Sequence, residues 1–103
     1  MSELKTISAQ EVQQKLEAGE DIHLIDVRED DEVAAGMIPE ATHIVMGDIA
    51  MKLDDLDQDK EYILICRSGR RSENVGWFLH DHGYNVVNMT GGMLEYGGET
   101  KPK

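Results

Sequence analysis

The sequence predicts one α/β domain organised around a parallel sheet. Three observations carry that expectation. Short apolar runs alternate along the chain with segments of helical spacing. One run, Tyr62-Ile63-Leu64-Ile65, is apolar throughout, as a central parallel strand covered on both faces must be. Gly19, Gly36 and Gly83 stand where helical patterns stop, the usual place of a helix-ending glycine.

In chain order, Ser8 is a good N-cap for a first helix, with Glu11 at the capping-box position and Ile7 able to staple onto Val12. Ala9, Val12 and Leu16 share one face of that helix. His23-Leu24-Ile25-Asp26-Val27 reads as a strand, and an acid-fronted helix follows over 29–35. Its Glu29, Asp30, Asp31 and Glu32 suit the positive end of the helix dipole. His43-Ile44-Val45 reads as a short strand. Residues 47–56, with Ile49, Leu53 and Leu56 at helical spacing, read as a short helix running into the solvated acidic turn Asp54-Asp55-Leu56-Asp57-Gln58-Asp59. After the central strand the spacing predicts a helix over 70–82, with Val75, Phe78, Leu79 and His82 on one side. Val86-Val87-Asn88-Met89 is the last predicted strand, and Gly91-Gly92 begins a final turn. No repeat or second domain is visible, so residues 1–103 are expected to form one domain with its core over about 5–96 and a frayed tail over 97–103.

Hydrophobic residues make up 40% of the chain, enough for one modest core. Ten basic against 21 acidic residues give a net charge of -11, which argues against nucleic acid or an anionic membrane as partner. No apolar run approaches the ~18 residues needed to span a bilayer. The opening Met1-Ser2-Glu3-Leu4-Lys5-Thr6 lacks the layout of a signal peptide, so the cytosol is the expected compartment. The lone cysteine, Cys66, has no disulfide partner in the chain and no cysteine companions for a zinc site. It is either a small core hydrophobe or a reactive thiol.

Its neighbours favour the second reading. Cys66-Arg67-Ser68-Gly69-Arg70-Arg71-Ser72 lies between the central strand and the following helix, where parallel α/β sheets bind ligands. Three of the ten basic residues, Arg67, Arg70 and Arg71, surround the only thiol. Free N–H groups at the helix start add positive potential, and Gly69 permits the turn that gathers amides into an anion-binding nest. Each feature is expected to favour the thiolate. The plain alternatives are a buried strand-end cysteine and a solvated basic cluster. Against them, cations at a helix N-terminus oppose the dipole, so stability does not account for Arg70 and Arg71.

These residues resemble the rhodanese domain family from Ile7 to Tyr96. The loop matches its pattern of Cys66, Gly69 three positions on and Arg71 two beyond. Leu24-Ile25-Asp26-Val27-Arg28-Glu29 with Glu32 and Gly36-Met37-Ile38-Pro39 is similar to the family's first signature, and Gly91-Gly92 after a Val-rich strand to its closing one. Val33, Met37, Glu40 and Tyr96 depart from the usual residues, all outside the loop. The resemblance implies a three-layer fold, a five-stranded, mainly parallel sheet with helices on both faces. It implies a sulfurtransferase in which Cys66 takes sulfane sulfur from thiosulfate or another persulfide donor and passes it to a thiol or cyanide. Of the loop residues Arg67, Ser68, Gly69, Arg70 and Arg71 expected to bind the substrate, Arg67 and Arg70 are expected to meet the donor at the rim, and Arg71, at the helix start, to point inward and fix the loop. A sulfur-relay protein serving a specific partner and a non-catalytic binding module are the rivals. A related phosphatase activity is disfavoured, because its arginine would fall at position 72, which is Ser72. The chemistry requires no metal or organic cofactor.

Elsewhere, Asp26 and Arg28 are expected to form a buried structural pair. His80 and His82 lie two apart on a helix and share no face for a metal. His23 and His43 read as strand-end residues, Met37 and Met93 as core or pocket rim, and Trp77 as a partner contact or a half-buried aromatic.

Overall fold

The computed structural model describes residues 3–103; the expectation attached to Met1 and Ser2 lies outside the described residues. Five strands, β1 (Lys5–Ser8), β2 (His23–Asp26), β3 (Thr42–His43), β4 (Glu61–Ile65) and β5 (Asn85–Thr90), form one sheet in the order β1-β5-β4-β2-β3. Every pairing is parallel. The four helices are α1 (Ala9–Glu17), α2 (Asp30–Ala35), α3 (Arg70–Asp81) and α4 (Gly92–Glu95), and a 3-10 segment spans Met46–Asp55.

The period-two alternation of β4 sorts the core into two halves. Tyr62, Leu64 and Cys66 pack with Ile25, Ile49, Val75 and Leu79, beneath α3 and the 3-10 segment. Ile63 and Ile65 pack with Ala9, Val12, Leu24 and Met89, beneath α1. Both faces of the sheet are thus covered, which is why β4 carries no outward polar residue after Glu61. Cys66 continues the alternation one step past the strand and lands on the α3 side.

The caps form as expected at α1: Ser8 Oγ accepts from the Glu11 N–H at 3.1 Å, and the Glu11 carboxylate accepts from the Ser8 N–H at 3.3 Å. One strand is added to those expected, and three expectations are corrected. Lys5–Ser8 is an edge strand, paired with β5 alone. β3 is shorter than 43–45 and shifted back by one residue. The segment expected as a helix over 47–56 winds as a 3-10 helix with only Ile49 buried. The tail is tied down rather than frayed: Met37 and Lys101 exchange two backbone hydrogen bonds of 2.8 Å, and the Lys103 N–H donates to the Val33 carbonyl at 3.0 Å. No helix among the described residues is long and apolar enough to cross a membrane.

Candidate active site

β4 delivers Cys66 to the carboxyl edge of the sheet, and the chain then curls through Arg67, Ser68 and Gly69 into α3. Gly69 adopts φ 99°, a left-handed conformation that other residues enter at a cost, so a glycine is needed at this cap. The turn aims the Gly69 N–H at Cys66 Sγ, 3.0 Å away. Cys66 is 0% exposed, yet its sulfur faces the loop amides and not the apolar interior.

Burial pushes the Cys66 thiol up. The Ser72 hydroxyl and the backbone N–H groups of Ser72, Gly69 and Ser68 outweigh it, leaving the thiol below its ordinary value. The donors that favour the thiolate are therefore chiefly the expected amides together with a hydroxyl, and the Arg71 guanidinium adds its field.

The three arginines divide. Arg67 and Arg70 are exposed at the rim of the loop. Arg71 forms a two-pronged pair with Glu32 of α2, both N···O distances being 2.7 Å. Hydrogen bonding to Arg71 holds the Glu32 carboxyl at about 2, and Glu32 in turn raises Arg71, which the Cys66 charge raises further. Glu32 also accepts the Glu29 N–H at 3.0 Å, so one carboxylate both closes the first turn of α2 and fixes the start of α3. The sequence offered Glu32 as a first-turn acid and a member of the first signature, not as the partner of Arg71.

α4 supports the loop from outside. The Met93 N–H donates to the Cys66 carbonyl at 2.9 Å and the Leu94 N–H to the Arg67 carbonyl at 3.0 Å. With those carbonyls engaged, the following amides are left to serve the sulfur. Gly92 makes the approach possible, since a Cβ there would stand 2.5 Å from the Cys66 carbonyl oxygen and from the Arg67 carbonyl carbon.

Sequence reasoning missed two further residues. Ser72 is fully buried, with its hydroxyl 3.4 Å from Cys66 Sγ and close against Asn88 Oδ1. Asn88 of β5 donates from Nδ2 to the Gly69 carbonyl at 3.1 Å. A lone amide inside the apolar run Val86-Val87-Asn88-Met89 was the available signal, because a buried polar group requires partners.

Beside the loop, Asp26 and Arg28 form the expected buried pair, with Arg28 Nη2 2.9 Å from Asp26 Oδ2 and also donating to the Gly36 carbonyl at 2.8 Å. His43 Nε2 lies 2.7 Å from the Arg28 carbonyl and its Nδ1 2.8 Å from Lys103 Nζ. Trp77 is 40% exposed and packs edge-on to His80.

A parallel five-stranded sheet ending in a cysteine-centred amide loop is the arrangement of the rhodanese-like domain, whose sequence pattern matches residues 8–99. The chain belongs to that family. It is 57% identical over 101 residues to YtwF of Bacillus subtilis, provisionally named a sulfurtransferase, with 98% of each chain covered. It is 33% identical to YrkF of the same organism, provisionally named a sulfur carrier protein, covering 97% of this chain and 55% of that one. The crystal structure of a rhodanese-like domain protein from Staphylococcus aureus superposes with a TM-score of 0.91 at 35% identity, over 97% of this chain and 99% of that one.

Proposed function

We propose that the chain is a cytosolic, single-domain sulfurtransferase that carries sulfane sulfur as a persulfide on Cys66. The observation that carries this reading is the aim of the Gly69 N–H, at 3.0 Å, and of the Ser72 hydroxyl, at 3.4 Å, on one buried sulfur at the start of α3. A ring of donors fixed in place stabilises negative charge on sulfur without reorganisation.

The Cys66 thiolate attacks the outer sulfur of thiosulfate, the S–S bond of the donor breaks, and sulfite leaves with the electron pair. A thiol or cyanide then attacks the terminal sulfur, and Cys66 departs as thiolate; the cycle is ping-pong and balanced in atoms and charge. Arg67 and Arg70, exposed at the rim, meet the dianionic donor. Ser68 and Gly69 supply amides to the bound sulfur. Arg71, engaged by Glu32, holds the loop and adds its field. Since Cys66 is 0% exposed, the rim residues must part before a donor reaches Sγ.

A relay to a protein acceptor is the second reading. The sulfur carrier name of YrkF favours it, as does Leu94, 62% exposed and bonded through its N–H to the Arg67 carbonyl. Intact mass after incubation with thiosulfate tests both, with Cys66→Ser as control. One added sulfur atom, followed by rapid release to cyanide or a small thiol, supports the enzyme; stable loading with slow release supports the relay. No gain of sulfur from any persulfide donor would sink both.

A further inference from the structure

The Ser72 hydroxyl has two acceptors and one proton. It lies 3.4 Å from Cys66 Sγ and against Asn88 Oδ1, and all three residues are buried. Asn88 Oδ1 can only accept, and a thiolate can only accept, so the hydroxyl serves one of them at a time. Which one depends on where the negative charge resides. On a free thiolate the charge is on Sγ, and the stronger, charge-assisted bond goes there. On a neutral thiol, or on a persulfide whose charge sits on the terminal sulfur, Sγ is a weak acceptor and the hydroxyl turns to the amide oxygen.

We propose that Asn88 is a positioning residue for sulfur transfer: its Oδ1 takes the Ser72 hydroxyl whenever Sγ is uncharged and yields it when Sγ becomes a thiolate, favouring the sulfur-loaded state over the empty one. The second hydrogen bond of Asn88, from Nδ2 to the Gly69 carbonyl at 3.1 Å, keeps the amide from rotating away and fixes which atom faces Ser72. The inference rests on the persulfide reading for its role in transfer, but the exchange of the hydroxyl is a property of the empty protein as well.

The charged groups around Cys66 are the Arg71–Glu32 pair, the closed Asp26–Arg28 pair, exposed Arg67 and Arg70, and Glu95 beside Gly91. Substitutions at 72 and 88 leave all of them in place, so the following comparison isolates the hydroxyl. The midpoint of Cys66 ionisation is read from the pH dependence of iodoacetamide alkylation, followed by mass. Asn88→Leu should lower the midpoint by about one unit, about tenfold in acid constant, because only the neutral thiol loses a bond. Ser72→Ala should raise it. Asn88→Leu added to Ser72→Ala should change nothing further, and an equal shift in both backgrounds, or none in either, overturns the proposal.

Should Asn88→Leu fail to fold, the remaining proteins decide the matter by NMR. The Asn88 side-chain carbonyl carbon is expected to titrate with Cys66 in the wild type and to lose that response in Ser72→Ala; a response that persists there overturns the switch. Loading at a fixed ratio of sulfite to thiosulfate should fall about tenfold in equilibrium constant for Asn88→Leu. A wild type that never loads, with the Ser72-dependent titration intact, sinks the persulfide reading and not the switch.

Discussion

Arg71 and Glu32, thirty-nine positions apart, meet as a parallel fork that ties the first turn of α2 to the first turn of α3. Both side chains are partly covered, 31% and 23% exposed, so solvent screens the pair without abolishing it. Its consequence for pH has a definite sign. The Glu32 carboxyl falls from 4.5 to about 2 on folding, so the stabilisation is complete above 4.5 and is lost as pH drops toward 2. Glu32→Gln is expected to cost about 1–2 kcal/mol at neutral pH after allowance for screening. The gap between variant and wild type should close on acidification. Urea unfolding of both proteins between pH 7 and pH 2.5 measures it, and a gap that stays constant with pH contradicts the assignment.

Gly92→Ala should damage site and fold together. The new methyl meets the backbone of Cys66 and Arg67, and the residue also holds φ 57°. Nothing there is the end of a flexible side chain that can swing clear. A loss of about 2–4 kcal/mol follows, of the order seen when backbone strain and steric overlap combine. Thermal unfolding reads the stability. Faster alkylation of Cys66 by bulky reagents would report that the loop has come away from α4.

Removing the Asp26 carboxylate strands the Arg28 guanidinium, which is 6% exposed. Asp26→Ala should therefore cost about 3–5 kcal/mol, the penalty of an unpaired buried charge. A double substitution, Asp26→Ala with Arg28→Met, should recover part of that loss. Chemical denaturation of the three proteins tests the claim; equal instability of single and double variants would contradict it.

Deleting residues 101–103 removes three backbone hydrogen bonds, two to Met37 and one to the Val33 carbonyl. About 1–2 kcal/mol of stability is expected to go with them. Amide exchange at Met37 and Lys101 should be protected in the full chain, and exchange at the rate of an open tail would refute the bridge.

Much of this architecture is legible in the residue order because the strongest signals are local. The apolar run of β4, the Ser8–Glu11 capping box and the glycine after the thiol each declare their geometry within a few positions. β1 stayed hidden because its burial follows no alternation and its last residue is also the cap of α1. The tail gave no hint of order, since its bonds are made by the backbone and not by its polar side chains. In the loop, the thiol and its glycine could be read directly. The division of labour among the arginines could be read only in outline, Arg67 and Arg70 at the rim and Arg71 turned inward, because the carboxylate that holds Arg71 comes from another helix. Ser72 and Asn88 were obscured in the same way: each is ordinary alone, and only their mutual approach beside Cys66 gives them meaning.

The anchorage of the sulfur loop to α4 bears on how the molecule is made. The amides that clamp the Cys66 and Arg67 carbonyls belong to Met93 and Leu94, and β1 has β5 as its sole neighbour in the sheet. β1 thus waits for β5, and until the stretch after β5 is in place the thiol has no clamped loop around it. Contacts that join positions so distant in the chain slow assembly. A stalled or shortened product would carry an ordinary cysteine, with none of the chemistry of the finished one.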